Sequence, residues 1–426
     1  MMIPRVGFIG GIVVILGALV TAILVPIPQP AVRQIALPVS RLLACPVGVV
    51  NLGETVVKVT DTEVFRVGLV NALPSEPTTS ASVENPAKPV VVRGSATVGG
   101  IASYTEVGKI MMAPCASPIT TGTWNGVETQ GMDSALIFSN IDSTPAVVDV
   151  FIFGQTGPIA LPGLRDIPVA AGYEQVLSIN QLLSSETPIS IQVRASKGRV
   201  SAILRSINDQ GADWQHPQAL ADTDLVMVGI PGGSGTRTLS LTNPDSSAQA
   251  TVTVGIIGEM GPFTPHGLET IEIPPSRSIS VDMTQALGGQ PSGIHLSSDL
   301  PVTASITVAD RDIAGLSSQP ALHGEVVLPP IGGILWVANP GLEEATVSLH
   351  SMTESGTGLV IETPIPAQSL VPIEFPSTGI SVRIATTSDS LRTSLTLTDK
   401  AWSILPIYGG GIISSVDVPQ LDPGLG

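Results

Sequence analysis

The chain has 426 residues, enough for about two to four domains. Charged residues are 13% of it and the net charge is −16, which excludes a nucleic-acid surface built on a basic patch. Apolar residues reach 43% in strongly patterned runs and so exclude general disorder, while 44 Gly and 37 Pro read as many short strands joined by turns.

The first predicted element is apolar. Val6 to Val25 reads "VGFIGGIVVILGALVTAILV", without a charge, enough for a helix across a bilayer core of about 30 Å. Arg5 precedes it and Pro26, Pro28 and Pro30 stop it. Positive charge on the N-terminal side places that side in the cytoplasm. A cleaved signal peptide competes, with Val20 and Ala22 as small residues for a peptidase. The length of the run and the lack of a polar cleavage region favour a retained anchor. Residues 1–30 are therefore expected to be a cytoplasmic stub and a transmembrane anchor touching the lipid bilayer through residues 6–25. The protein would sit in the cell membrane as a single-pass chain with its C-terminal region extracytoplasmic.

Residues 31–120 read as a linker followed by a divergent, disulfide-tied β segment. "ETVVKVTDTEVFRVGLV" has strand character, and "PSEPTTSASVENPAKP" from Pro74 to Pro89 reads as a mobile loop. Cys45 and Cys115 are the only cysteines. An even number in an exported chain points to one disulfide. Two cysteines with no neighbouring His do not complete a zinc site.

Three repeats follow. Leu136 to Pro158, "LIFSNIDSTPAVVDVFIFGQTGP", is echoed by Leu239 to Pro262, "LSLTNPDSSAQATVTVGIIGEMGP". Each has a strand ending in Asn (Asn140, Asn243), a polar turn, a second alternating strand and Gly-x-x-Gly-Pro. Val148, Val150 and Ile152 match Val252, Val254 and Ile256 and would line one strand face. A worn third copy, "ILWVANPGLEEATVSLHS", starts at Ile334, with Asn339 at the strand end and "SGTG" at 355–358 taking the place of the glycine turn. Each copy holds about six or seven short strands, the size of an immunoglobulin-like sandwich. The boundaries are 121–215 for repeat 1, 216–320 for repeat 2 and 321–420 for repeat 3. The fold class is all-β: an N-terminal transmembrane helix followed by tandem immunoglobulin-like β-sandwich repeats.

Chemistry-bearing motifs are absent from the sequence. "GGSGT" at 232–236 lacks the last Gly of a nucleophile elbow, and the five His never fall in a paired-ligand pattern. No catalytic residue, cofactor site or metal site is assigned. Asn208, Asp222, Asp224, Asp310 and Asp312 place oxygens near the repeat junctions, but Arg311 and the incomplete ligand set argue against calcium. Trp124, Trp214 and Trp402 lie near repeat junctions and are the candidates for interdomain packing or ligand contact; Trp336 sits within a core strand.

"APCASPITTGTWNG" at 113–126, the Leu136–Pro158 stretch and the Asn-Pro strand ends together resemble an actinobacterial family catalogued as domain of unknown function 5719. Trp124-Asn125-Gly126 fits its Trp-x-Gly step, whereas Asn140-Ile141 departs from its Asn-Pro mark. The resemblance covers most of residues 45–420 and supplies no catalytic residues. It implies a single-pass envelope protein of high-GC Gram-positive bacteria working beside membrane glycosyltransferases. The sequence-level expectation is a non-catalytic, membrane-anchored extracytoplasmic scaffold or partner-binding protein. Its partner would be another envelope membrane protein such as a glycosyltransferase. The alternative is a cell-wall glycan-binding module, and a hydrolase assembled from distant loops is the third class.

Overall fold

Runs of Val, Ile and Thr that alternate inward and outward, broken by Gly, Pro and Asn, fold here as antiparallel strands. The computed structural model describes residues 34–36, 41–48, 53–259, 261–397, 402–407, 409 and 415–417. Gln34–Ala36 and Ser415–Asp417 pair antiparallel in a small unit of their own. Residues 40–411 form the main unit.

The main unit contains four sandwiches built on one plan. In repeat 1, one sheet runs in the order Glu174–Ser178, Asp133–Ser139, Ser201–Ile207, Ala212–Gln215, and the other in the order Gly157–Ile159, Ala146–Gly154, Ile189–Lys197, Thr121–Val127. The core lies between the sheets, where Leu136 and Phe138 meet Val148, Val150 and Ile191. Repeat 2 keeps this order, except that one continuous strand, Ser292–Ala309, serves both sheets. Repeat 1 divides the same path at Gly198, whose φ of 67° favours glycine. Repeat 3 runs from Glu325–Leu328 to Ser403–Ile407. The N-terminal sandwich, from Arg41–Cys45 to Lys109–Pro114, has the same order, with Glu54–Leu69 shared between its sheets.

Two expectations are corrected. The helix expected over residues 6–25 lies outside the described residues. Among the described residues no helix is long and apolar enough to cross a membrane. The described helices, Ile179–Leu182 and Thr284–Leu287, have four residues each, about 6 Å of rise against the 30 Å a span needs. The described residues are therefore all-β, and the expected N-terminal transmembrane helix has no support among them. The second correction concerns Pro74–Pro89, expected as a loop: Thr78–Glu84 is a strand paired with Glu54–Leu69. It is a sheet edge, so its Ser and Thr face solvent, and the apolar alternation that marks a buried strand is missing.

The Asn strand ends are built alike. Asn140, Asn243 and Asn339 are fully buried. Each side-chain amide donates to a turn carbonyl (Thr144, Ala248, Glu343) at 2.7–2.9 Å and to a strand carbonyl (Val169, Ile273, Ile365) at 2.9–3.1 Å. Each Oδ1 accepts an N–H two residues on. In the N-terminal sandwich Asp61 stands at this corner and accepts from Ser95 and Thr97 hydroxyls. Asn243→Ala leaves two buried carbonyls and an N–H without partners. It should lower stability by about 2–3 kcal/mol, read from the midpoint of urea unfolding.

The four sandwiches close into a ring. Their last strands, Lys109–Pro114, Ala212–Gln215, Ile313–Ser317 and Ser403–Ile407, pack each on the next and the fourth on the first. Repeat 3 closes on the N-terminal sandwich through Ile101 and Met112, which join its core. Val327 N–H donates to Thr97 O there, and the Thr60 hydroxyl to Ile380 O.

Candidate functional site

The ring axis is the place to which all four sandwiches contribute. At the starts of the four last strands lies Asp312, fully buried. Its Oδ1 accepts N–H bonds from Ala212 and Ile313, both at 2.9 Å. Its Oδ2 accepts from Ile110 at 3.2 Å and from Trp402 at 3.3 Å. One carboxylate thus holds one main-chain N–H from every sandwich. Repeat 1 has Gly211 at the corresponding position, and a Cβ there would stand 2.2 Å from Asp312 Oδ1 and 2.5 Å from Ile313 N. The axis has room for one such side chain, so the repeats differ there. Of the oxygens weighed for calcium, those of Asp312 face these N–H groups, and Asp224 bonds His295. Among the described residues no group of three or more His, Cys, Asp or Glu is placed to hold a metal.

Burial pushes the Asp312 carboxyl up, against the four N–H bonds that favour its charged form. Beside it, burial pushes Asp213 up to about 8, and the Asp312 charge adds to that, while N–H bonds from Gly315 and Trp214 oppose it. His216 is driven down to about 4 by its burial, and its Nε2 bonds the Pro114 carbonyl at 3.0 Å. A carbonyl only accepts, so Nε2 carries the proton and Nδ1 is a bare acceptor.

These shifts set a pH dependence. The folded pKa of Asp213 lies above its unfolded value of 3.8. The unfolded chain therefore loses that proton first, and stability falls by about 1.4 kcal/mol per pH unit as pH rises toward 8. His216 acts oppositely. The unfolded chain protonates it first, so stability is lost as pH falls from 6.5 toward 4. Between 4 and 6.5 the two oppose each other, and above 6.5 the His216 contribution no longer offsets the Asp213 slope. Urea midpoints should therefore drop between pH 6.5 and 8, and Asp213→Asn should remove most of that drop. An unchanged slope in the variant would refute the assignment.

At the other ends of the axial strands lies a cavity of about 390 Å³. Its wall comes from all four sandwiches, including Cys115, Trp214, His216, Gln319 and Ile407. Gln218 and Gln319 staple its rim. The Gln218 side chain bonds Ala304 N and Val302 O in repeat 2. Gln319 bonds Val228 N and, in repeat 3, Thr393 O. The disulfide of the N-terminal sandwich also borders the cavity. Cys45 and Cys115 are joined, and Ala44 and Ala116 pair beside them. The Trp214 indole N–H is buried without a hydrogen-bond partner among the described residues.

The three tryptophans singled out in the sequence are all buried. Trp124 lies in the repeat 1 core and donates to Gln215 O at 2.8 Å. Trp214 packs against the core of the N-terminal sandwich, its ring 6.4 Å from that of Tyr104. Trp402 joins the core of repeat 2. Trp336, read as a core residue of its own strand, is buried between repeats 2 and 3 and bonds Thr396. None of the four offers an open face for stacking on a sugar.

Trp124-Asn125-Gly126 forms the seam to repeat 2. Asn125 Oδ1 accepts from the Thr242 and Thr303 hydroxyls and its carbonyl from Ser305. Gly126 has φ 71°, and a Cβ on it would stand 2.8 Å from Ser240 Oγ. The next seam repeats this: Val228 O accepts from Ser394, and Gly229, at φ 84°, leaves room for that hydroxyl.

A family model described as Family of unknown function (DUF5719) matches residues 110–364, more than half of the chain. The chain belongs to this family. The DUF5719 match begins in the axial strand Lys109–Pro114 and ends within Gly356–Ile365. It contains the whole of repeats 1 and 2, with Asp312, while the ring extends beyond it at both ends. No curated protein matches the chain. Among solved structures, an alpha-L-rhamnosidase of Streptomyces avermitilis complexed with L-rhamnose is 9% identical at a TM-score of 0.13, over 84% of this chain and 57% of that one. A tetra-tandem repeat from the extending region of a large adhesion protein is 11% identical at 0.12, over 83% and 90%. The BSP domain of a biofilm-associated protein is 8% identical at 0.13, over 91% and 100%. At these scores none bears on the ring or its function.

Proposed function

We propose that this DUF5719 protein is a non-catalytic, extracytoplasmic scaffold of the bacterial cell envelope that receives a partner at the axial cavity. The observation that carries the reading is the cavity itself. Four sandwiches converge on one largely apolar chamber whose lining includes the neutral His216. This suits an uncharged, mainly apolar partner segment that brings an N–H. The buried carboxylates of the axis serve main-chain N–H groups instead of a substrate. The buried disulfide fits an oxidising compartment. The partner is an envelope membrane protein, with a membrane glycosyltransferase the form that the family resemblance favours.

Ser117 and Ala219 line the cavity and are exposed. A photo-crosslinking residue at Ser117 of the full chain should capture one envelope protein in cells, and Ala219→Trp, which fills the mouth, should abolish the capture. Equal capture in both would refute the reading.

A further inference from the structure

The outer face of the N-terminal sandwich carries a second feature. Arg66 and Arg93 are direct partners across the antiparallel strands Glu54–Leu69 and Val90–Gly94, so both side chains leave the sheet on the same face. Like charges directly opposite each other are destabilising, and Lys and Arg together number only 19 in a chain of net charge −16. Ion pairs among the described residues engage Arg199, Arg205 and Arg383. Arg66 donates to the Ser75 carbonyl at 3.3 Å, and the Arg93 side chain makes no ion pair or hydrogen bond with a described residue.

Both arginines line a cleft of about 650 Å³ at the seam with repeat 1. Its wall includes apolar Val70 and Ile141 and polar Asn71 and Ser143. Asn71, at φ 63°, ties the two sandwiches across the cleft by donating to Gly172 O. Asp142 is the lining's single carboxylate, and Arg199 of repeat 1 already holds it through two hydrogen bonds of 2.7 and 3.0 Å.

We infer that this cleft binds an acidic saccharide, with Arg66 and Arg93 clasping its carboxylate or phosphate. Two adjacent guanidinium forks match the oxygen geometry of either anion. The apolar wall with polar groups beside it suits a sugar ring. The site is separate from the axial cavity and stands or falls independently of it.

Calorimetric titration of the full chain tests this, with a galacturonic acid oligomer, a sugar phosphate and a neutral oligosaccharide as probes. At least one acidic probe should bind, the neutral one at least tenfold more weakly. Whichever acidic probe binds identifies the anion. Arg93→Ala and Arg66→Ala should each weaken binding tenfold or more, and Ala219→Trp at the axial mouth should leave it unchanged. The urea midpoint of Arg93→Ala should equal or exceed that of the unsubstituted chain, because a like-charge contact is removed. Binding of neither acidic probe, equal binding of the neutral one, or full binding by both arginine variants would overturn the inference.

Discussion

Asp312→Ala should lower the unfolding free energy by about 4 kcal/mol or more. The substitution leaves the N–H groups of Ile110, Ala212, Ile313 and Trp402 facing a void. Each unpaired buried donor costs on the order of 1–3 kcal/mol, with partial relief where water enters. The loss falls on all four sandwiches together, because each supplies one donor. The unsubstituted chain should therefore unfold in urea as one transition, and the variant should show a lower midpoint with the sandwiches partly uncoupled. Asp312→Asn keeps the shape and one acceptor oxygen but turns an N–H₂ toward N–H donors, so an intermediate loss is expected. A change below about 1 kcal/mol in Asp312→Ala would mean that the axial carboxylate does not hold the ring.

Removing the disulfide is the second large effect. The Cys45–Cys115 bridge spans 70 residues of sequence, and closing a loop of that length stabilises by about 4 kcal/mol in the chain-entropy account. The bridge lies within the N-terminal sandwich, whereas Gln218 and Gln319 reach into repeats 2 and 3. It fixes the edge strand Arg41–Cys45 to the segment that follows an axial strand, beside the cavity. Gly100 leaves room for it, since a Cβ there would stand 2.7 Å from Cys115 Sγ. Cys45→Ala with Cys115→Ala should cost about 3–5 kcal/mol and expose the N-terminal sandwich first. Hydrogen exchange should then show the greatest loss of protection in Arg41–Cys45 and Val90–Gly94, with repeat 2 least affected. Uniform loss over the four sandwiches would contradict this local role.

The Asn corners were legible in the sequence because a buried turn-forming amide recurs at fixed spacing between alternating strands. The disulfide was legible because only one pairing exists. The axial strands were not. Ala212–Gln215 is four residues long and buried throughout, so it carries neither the alternation nor the length that marks a strand. Asp312 drew notice for its oxygens, but sequence cannot show that four N–H groups from distant strands converge on them. The contrast between Gly211 and Asp312 at matching repeat positions was the available signal. Ring closure itself rests on pairs such as Val327 with Thr97, far apart in the chain and without local signature. The tryptophans were placed near junctions by position, and their burial followed only from the ring.

The account rests on the axial cavity as the place where a partner is held, and in-cell photo-crosslinking from Ser117 of the full chain tests that most directly. One envelope membrane protein, captured in amounts comparable to the bait and lost with Ala219→Trp, is the predicted result. Capture of wall polymer alone, or of the same proteins whether or not the mouth is filled, would contradict it.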